Sequence, residues 1–192
     1  MIEICFATNN PNKLKEISLQ LEGKFKVVSL SDIGCHEDIP EEQPTIEGNS
    51  KQKAAYIWDN YKVNCFADDT GLEVEALNGE PGVLSARYAG PQKDSNDNID
   101  LLLENLKGKS ERNAQFKTVI TLVIDGTYHQ FEGIAKGEII EERTGDQGFG
   151  YDPIFKPNGY EKTFAQISLE EKNSISHRGK AVKKLVEFLS SL

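Results

Sequence analysis

The sequence lacks long apolar runs, paired cysteines and an excess of positive charge. No apolar stretch approaches the length of a membrane span, and the first residues have neither the basic start nor the long apolar segment of a signal peptide. The cysteines Cys5, Cys35 and Cys65 are odd in number and widely spaced, so they do not suggest a metal knuckle or a disulfide framework. We therefore expect a cytoplasmic protein with no membrane partner, whose cysteines are buried thiols.

The charge balance restricts the partners further. The chain has 31 Asp and Glu against 22 Lys and Arg, a formal net charge of -9 over 192 residues. Binding to a phosphate backbone needs a broad cationic surface, which this composition does not easily supply. We expect no polynucleotide partner, and any phosphate on a smaller ligand must be met by a few local cations.

Alternating strand and helix patterns predict an α/β fold with a mixed central β-sheet flanked by helices. The length allows one domain, residues 1–192, built as two lobes. An Asp125-Gly126 turn between two β-rich segments predicts an antiparallel hairpin that could build the second lobe. The predicted strands cover residues 2–7, 25–30, 64–67, 116–125 and 128–140, and the predicted helices cover 11–23, 51–61, 95–107 and a last one from about Ser174.

The most informative part of the sequence is the segment Gly148 to Phe155 together with a second segment further along the chain, Ser176 to Gly179. An aromatic ring among glycines, with acidic and basic side chains nearby, suits stacking on a flat ring and hydrogen bonding to its edge. The predicted ligand is a purine. A glycine-rich turn followed by a helix cap is the alternative, but it gives no reason for the residues Phe149, Tyr151, His177 and Arg178.

The segment Thr8 to Lys13 joins the first strand to a helix. Free N–H groups and the helix dipole favour an anion there, and Lys13 adds a full positive charge. The segment is not a Walker loop, because the glycine spacing and the Lys-Ser/Thr pair are missing. An asparagine-rich helix cap with a solvated Lys13 explains the same residues equally well.

Two acidic segments are candidate cation sites. Asp68 and Asp69 are expected where a strand ends, and adjacent carboxylates there point in different directions, so that one can bind a cation while the other holds the loop. The stretch from Glu41 to Lys53 combines carboxylates with ammonium groups, as a phosphate bridged by Mg²⁺ requires. The simpler interpretations are a turn without function and an exposed charged surface.

Taken together, five segments closely resemble the inosine triphosphate pyrophosphatase family. They occur in the family's order, from the first strand to the last helix. In chain order they are Thr8-Asn9-Asn10-Pro11-Asn12-Lys13, Phe66-Ala67-Asp68-Asp69-Thr70-Gly71-Leu72, Pro81-Gly82-Val83-Leu84-Ser85-Ala86-Arg87-Tyr88, Gly148-Phe149-Gly150-Tyr151-Asp152-Pro153 and Glu171-Lys172-Asn173-Ser174-Ile175-Ser176-His177-Arg178.

This resemblance implies hydrolysis of ITP, dITP and XTP to the nucleoside monophosphate and pyrophosphate, with Mg²⁺, by a homodimer. It implies a fold with the substrate cleft between two lobes, and Asp69 as the proton acceptor. Glu41 and Asp69 would be the metal ligands, although Glu42 makes the register of Glu41 uncertain by one residue. The implied substrate-binding residues are Thr8, Asn9, Asn10, Pro11, Asn12, Lys13, Lys53 and Thr70 for the triphosphate, and Phe149, Gly150, Tyr151, Asp152, Lys172, His177 and Arg178 for the nucleoside.

Hydrogen-bond polarity predicts how the base is selected. Hypoxanthine and xanthine present a 6-oxo acceptor where adenine presents an amino donor, and Arg178 has only donors. Two other functions remain open. One is an aspartyl-phosphate phosphohydrolase of the haloacid dehalogenase type, although its Asp-x-Asp motif near the first strand is missing. The other is a non-catalytic purine nucleotide sensor with the same pocket.

Overall fold

A computed structural model describes residues 2–192. The strands are β1 (Glu3–Phe6), β2 (Lys26–Val28), β3 (Cys65–Val74), β4 (Pro81–Gly82), β5 (Asn113–Ile124), β6 (Thr127–Ile139) and β7 (Phe155–Pro157). The helices are α1 (Pro11–Leu21), α2 (Ile46–Tyr61), α3 (Ser95–Asn105), α4 (Leu169–Ile175) and α5 (His177–Ser190). Short 3₁₀ helices cover Ser31–Ile33, Glu75–Leu77, Ser85–Arg87, Asp152–Ile154 and Phe164–Gln166.

The strands form one mixed sheet in the order β2-β1-β3-β5-β6-β7, with β4 beside β3. Strand β1 is parallel to β2 and to β3, with Cys5 opposite Cys65. Strand β4 is antiparallel to β3, and β7 is antiparallel to β6. The predicted α/β class with a mixed sheet is confirmed.

The chain divides into two compact units. Unit 1 contains the chain up to Asp69, Thr118–Gly133 and Arg178–Leu192. Unit 2 contains Thr70–Lys117 and Ile134–His177. The division falls between Asp69 and Thr70, in the middle of β3.

Unit 1 has an apolar core on each face of its strands, because successive side chains of a strand point to opposite faces. On one face Phe6 and Phe66 stack with ring centroids 4.5 Å apart, in a cluster that includes residues of α1 and α5. On the other face Cys5 and Cys65 pack with Ala54 and Ile57 of α2. All three cysteines are free and buried, which confirms the prediction of buried thiols.

Unit 2 has a separate core of its own. It combines the second half of β3 with α3, the first part of β5, the last part of β6 and the segments that follow. Phe116 lies at its centre, against Phe155 at 4.6 Å and the ring of His177 at 4.5 Å between centroids.

The hairpin between β5 and β6 has the predicted two-residue turn. Asp125 and Gly126 both have positive φ, 48° and 80°, as the turn type that matches the strand twist requires. A Cβ at position 126 would lie 3.3 Å from the ring of Trp58 on α2, so glycine also gives the turn room beside this helix.

Three predicted element boundaries are wrong. Strand β3 does not end at Asp68 but continues to Val74, because Leu72 and Glu73 pair with β4. Helix α2 begins at Ile46 rather than Lys51, since the Thr45 hydroxyl accepts from the Gly48 N–H at 3.0 Å and caps an earlier first turn.

The C-terminal helix is also divided in two. Ser176 has an extended backbone, with φ -78° and ψ 161°, and separates α4 from α5. Helix α5 begins at the predicted site residue His177, and α4 contains the predicted site residue Lys172.

No helix within residues 2–192 is both long and apolar enough to cross a membrane.

Candidate active site

The turn between β1 and α1 is held by its own side chains. The Asn10 side chain accepts from the N–H groups of Asn12 and Lys13, and Pro11 stands in the first turn of α1. The Thr8 hydroxyl accepts from the Asn10 N–H at 3.1 Å. These contacts fix a helix N-terminus whose dipole favours a negative charge, with Lys13 on its first turn.

Lys13 contacts Asp68 at the centre of unit 1. Its ammonium lies 3.2 and 3.1 Å from the two carboxylate oxygens of Asp68. Asp68 is 1% exposed, accepts from Arg178 Nε at 3.3 Å, and its main-chain carbonyl accepts from Lys53 Nζ at 2.6 Å. Burial alone would raise the pKa of Asp68, but Lys13 and Arg178 outweigh burial and hold that pKa well below its usual range.

Asp69 has the opposite electrostatic environment. It follows Asp68 in a strand, so the two side chains point to opposite faces. Its Oδ1 lies 3.9 Å from Lys53 Nζ, and its Oδ2 is buried with no hydrogen-bond partner among residues 2–192. Burial raises the pKa of Asp69 to about 6, although Lys53 and Lys13 oppose this shift. A buried carboxylate with an unused oxygen is able to bind a cation or accept a proton.

Glu41 reaches the same lysine from the preceding loop. Lys53 Nζ donates to Glu41 Oε1 at 2.5 Å. Burial lowers the pKa of Lys53, but the carboxylates of Asp68, Asp69 and Glu41 together raise it above its usual value. Glu42, the other candidate in this register, is exposed. We call Lys13, Glu41, Lys53, Asp68 and Asp69 the unit 1 cluster.

The unit 1 cluster fits Mg²⁺ only as a partial ligand set. Among residues 2–192, no group of three or more His, Cys, Asp or Glu side chains is arranged to hold a metal ion. Asp68 is used by Lys13 and Arg178, which leaves Glu41 and Asp69 around Lys53. Two carboxylates suit Mg²⁺, which keeps several waters and is commonly completed by the phosphates of a substrate.

Arg178 lies with the carboxylates of unit 1. It is 1% exposed and pairs with Glu16 of α1 as well as with Asp68. Both partners raise the pKa of Arg178, against the effect of burial. Hydrogen bonding of Arg178 to a base therefore stays a prediction, and it requires the guanidinium to serve a ligand in addition to these carboxylates. Glu16 was missed by the sequence analysis, although its i, i+3 spacing from Lys13 places both on one face of α1.

Unit 2 contains a second group of predicted residues. The Asp152 carboxylate accepts from the Phe149 N–H at 3.0 Å and from the Lys172 ammonium at 2.6 Å. The same ammonium lies 4.9 Å from the centre of the half-buried Phe149 ring. Lys172 and Asp152 are both 2% exposed, so a buried ion pair lies next to a more accessible aromatic ring.

The other predicted residues of unit 2 differ from one another in their contacts and burial. The Tyr151 hydroxyl donates to the Ser85 carbonyl at 2.7 Å, and the ring of His177 stacks on Phe116. Gly150 has a φ of +60°, so its position in the loop favours glycine. Thr70 is half-buried in β3. The predicted phosphate-contacting residues lie in unit 1, except for Thr70. The predicted base-contacting residues lie in unit 2, except for Arg178.

These features define a mixed α/β protein in which two lysines lie among three carboxylates in one unit, one of the lysines standing in the first turn of a helix. The chain belongs to the Ham1 family, whose model matches residues 4–188. The predicted resemblance to a family of purine nucleotide pyrophosphatases is confirmed by this match and by the relatives that follow.

Curated relatives match over nearly their whole length. The dITP/XTP pyrophosphatase of Flavobacterium psychrophilum is 60% identical over 99% of this chain and 100% of that protein. The dITP/XTP pyrophosphatase of Bacillus subtilis is 44% identical over 100% of this chain and 98% of that protein. Among solved structures, the Ham1 protein of Staphylococcus aureus is 40% identical with a TM-score of 0.90, over 98% of both chains. The HAM1 protein of Coxiella burnetii is 36% identical with a TM-score of 0.92, over 100% of both.

Because Asp68 and Asp69 have opposite electrostatic environments, replacing each by asparagine should affect the stability of the protein differently. Asp68→Asn leaves Lys13 and Arg178 without their shared charge, and we expect a loss of about 3 kcal/mol in the free energy of unfolding. Asp69→Asn removes a carboxylate whose charged form burial disfavours, so this variant should unfold no earlier than the wild type. Chemical denaturation at pH 7 in the absence of metal measures both. An equal loss in the two variants would contradict this interpretation.

Proposed function

We propose that this protein hydrolyses dITP, ITP and XTP to the nucleoside monophosphate and pyrophosphate, and so removes deaminated purines from the nucleotide pool. The observation that carries the proposal is the unit 1 cluster, in which one buried carboxylate oxygen of Asp69 has no hydrogen-bond partner among the described residues and the other lies 3.9 Å from Lys53. Membership of the Ham1 family and the names of the close relatives support the same reaction. They also disfavour the alternative of an aspartyl-phosphate phosphohydrolase.

The triphosphate binds to the turn before α1 and to the two lysines. The turn from Thr8 to Lys13 supplies the positive end of the α1 dipole, since its Asn12 and Lys13 N–H groups already donate to the Asn10 side chain. Lys13 and Lys53 stabilise the negative charge that grows on the leaving pyrophosphate. Thr70 contributes a hydroxyl contact. Lys13 is prepared for this role because Asp68 holds its ammonium beside the turn.

Asp69 accepts the proton of the attacking water. Water attacks the α-phosphorus in line, the bond from that phosphorus to the bridging oxygen breaks, and pyrophosphate leaves with the electron pair. The raised pKa of Asp69, about 6, makes this carboxylate a stronger base than an ordinary aspartate while it stays mostly ionised at neutral pH. Asp69 and Glu41 would hold Mg²⁺, which when bound neutralises phosphate charge.

The purine is bound by residues of unit 2 and by Arg178. Phe149 stacks on the ring, and the Asp152 carboxylate fixes the Phe149 main chain while it holds Lys172 below the Phe149 ring. Gly150, Tyr151 and His177 complete the pocket. Arg178 donates to the 6-oxo group, which adenine lacks.

Product analysis tests the proposed reaction. With Mg²⁺ and ITP, dITP or XTP, we expect pyrophosphate and the monophosphate, and turnover of ATP at least about 100-fold slower in kcat/KM, since adenine sets a donor against the donors of Arg178. Release of orthophosphate would favour the phosphohydrolase alternative. Binding without release of either product would favour a nucleotide sensor.

The matched control for this assay is a pair of Asp→Asn variants. Asp69→Asn removes the proton acceptor and should lower kcat by at least about 100-fold. Asp59→Asn makes the same change at an exposed position of α2 and should retain wild-type turnover. Full activity of the Asp69→Asn variant would refute the role of Asp69.

Metal dependence tests the choice between the two neighbouring glutamates. Glu41→Gln weakens one of two carboxylate ligands, and we expect the Mg²⁺ concentration at half-maximal activity to rise at least about tenfold. Glu42→Gln removes the same charge from an exposed side chain and should leave that concentration unchanged. The reverse result would move the ligand to Glu42.

We further propose that the protein acts in the cytoplasm as a homodimer. Light scattering of the purified protein should give twice the chain mass of 21.4 kDa, and a mass of one chain would contradict the dimer.

A further inference from the structure

The loop that carries Glu41 has no helix or strand of its own. Residues 34–45 connect the 3₁₀ helix Ser31–Ile33 to α2 without regular structure. Glu37, Asp38 and Glu42 are exposed along it, and Glu41 is half-buried. A segment of this kind loses much conformational entropy when it is ordered, and its like charges repel each other. Contacts with neighbouring elements must therefore set the position of Glu41.

Glu37 connects this loop to the end of α2. Its Oε1 accepts from the Tyr56 hydroxyl at 2.9 Å and from the Tyr61 hydroxyl at 2.6 Å. Its Oε2 accepts from the His36 N–H at 3.1 Å. Hydrogen bonds lower the pKa of Glu37 to about 2, so the carboxylate is ionised at neutral pH. The largest contribution comes from the Tyr61 hydroxyl, and smaller ones come from a main-chain hydrogen bond and from the Tyr56 hydroxyl. We call Glu37, Tyr56 and Tyr61 the tyrosine clamp.

Helix α2 holds the loop on the other side of Glu41 as well. Gln52 accepts from the Glu42 N–H and Asn49 accepts from the Gln43 N–H, each at 2.8 Å. The tyrosine clamp lies before Glu41 in the chain and these two bonds lie after it. Helix α2 also carries Lys53, whose ammonium contacts both proposed metal ligands, Glu41 at 2.5 Å and Asp69 at 3.9 Å.

The contact between Glu41 and Lys53 is not enough to fix the loop for metal binding. It uses the Glu41 carboxylate itself, at 2.5 Å, and a cation on that carboxylate would compete with it. A ligand must nevertheless stay within a few tenths of an ångström of its working position. The tyrosine clamp uses none of the Glu41 atoms, so it is able to hold the loop whether Glu41 binds Lys53 or a cation.

We propose that Glu37, through Tyr56 and Tyr61, is a positioning residue that presents Glu41 to the divalent cation. This inference rests on the proposed function, because it assumes that Glu41 is a metal ligand. Glu37 touches neither the substrate nor the reacting atoms. Its loss raises the cation requirement and leaves the chemistry at saturating cation unchanged.

The experiment compares four variants by their dependence on Mg²⁺. In Glu37→Ala the Mg²⁺ concentration at half-maximal pyrophosphate release rises about tenfold, the size expected when a partner outside the ligand set is removed, while kcat at saturating Mg²⁺ stays within about twofold. Glu37→Gln keeps an acceptor oxygen but not the charge, so the rise is smaller. Tyr61→Phe removes one donor and also gives a smaller rise. Asp38→Ala removes the same charge from the next, exposed residue and has no effect.

Hydrogen exchange measures the tyrosine clamp without turnover. In the absence of metal and nucleotide, peptides from residues 38–45 exchange faster in Glu37→Ala and Tyr61→Phe than in the wild type or Asp38→Ala. Wild-type exchange in Glu37→Ala, a wild-type Mg²⁺ requirement in that variant, or an equal effect of Asp38→Ala would each overturn the inference.

The Glu41→Gln variant separates this result from the proposed function. If Glu41→Gln raises the Mg²⁺ requirement and Glu37→Ala does not, the tyrosine clamp has no positioning role and the proposed function stands. If Glu41→Gln leaves the requirement unchanged, the assumed metal ligand is wrong, and the positioning role of Glu37 is overturned with it even where the exchange data show a clamped loop.

Discussion

The burial of one carboxylate, Asp68, is the constraint on which the rest of unit 1 depends. A fully buried charge is costly unless opposite charges and hydrogen bonds surround it. Lys13 from α1, Arg178 from α5 and the main-chain contact from Lys53 on α2 meet that need. Three helices distant in sequence are thereby tied to one position of β3, and each brings a charged side chain to the same place.

Because side chains alternate between the two faces of β3, Asp69 lies in a different electrostatic environment from Asp68. Lys13 and Arg178 contact the Asp68 carboxylate directly, whereas Asp69 Oδ1 lies 3.9 Å from Lys53 and Asp69 Oδ2 has no hydrogen-bond partner among the described residues. Two chemically identical neighbours thus have pKa values that move in opposite directions. One carboxylate stabilises the fold, and its neighbour, whose pKa is raised by burial and by the charges of Glu41 and Asp68, remains able to accept a proton.

Sequence patterns predicted the local turns better than they predicted the element boundaries. Thr8 to Lys13 and the Asp125-Gly126 hairpin depend on local chemistry, namely capping, a first-turn proline and positive φ, and local chemistry is visible in a sequence. Asp68 was expected to end a strand because an Asp-Thr-Gly sequence favours a turn, but pairing with β4 overrides that preference. Arg178 and Glu16 could not be paired from sequence, since 162 positions separate them and only the packing of α5 beside α1 brings them together.

The position of Trp58 has a practical consequence. It is the only tryptophan of the chain, and it lies on α2, within unit 1, beside the hairpin turn at Gly126. Tyrosines, by contrast, occur in both units, for example Tyr61 in unit 1 and Tyr151 in unit 2. Indole emission is therefore a native optical reporter for unit 1 alone, and comparing it with far-ultraviolet circular dichroism distinguishes a single cooperative melting transition from stepwise loss of the two units.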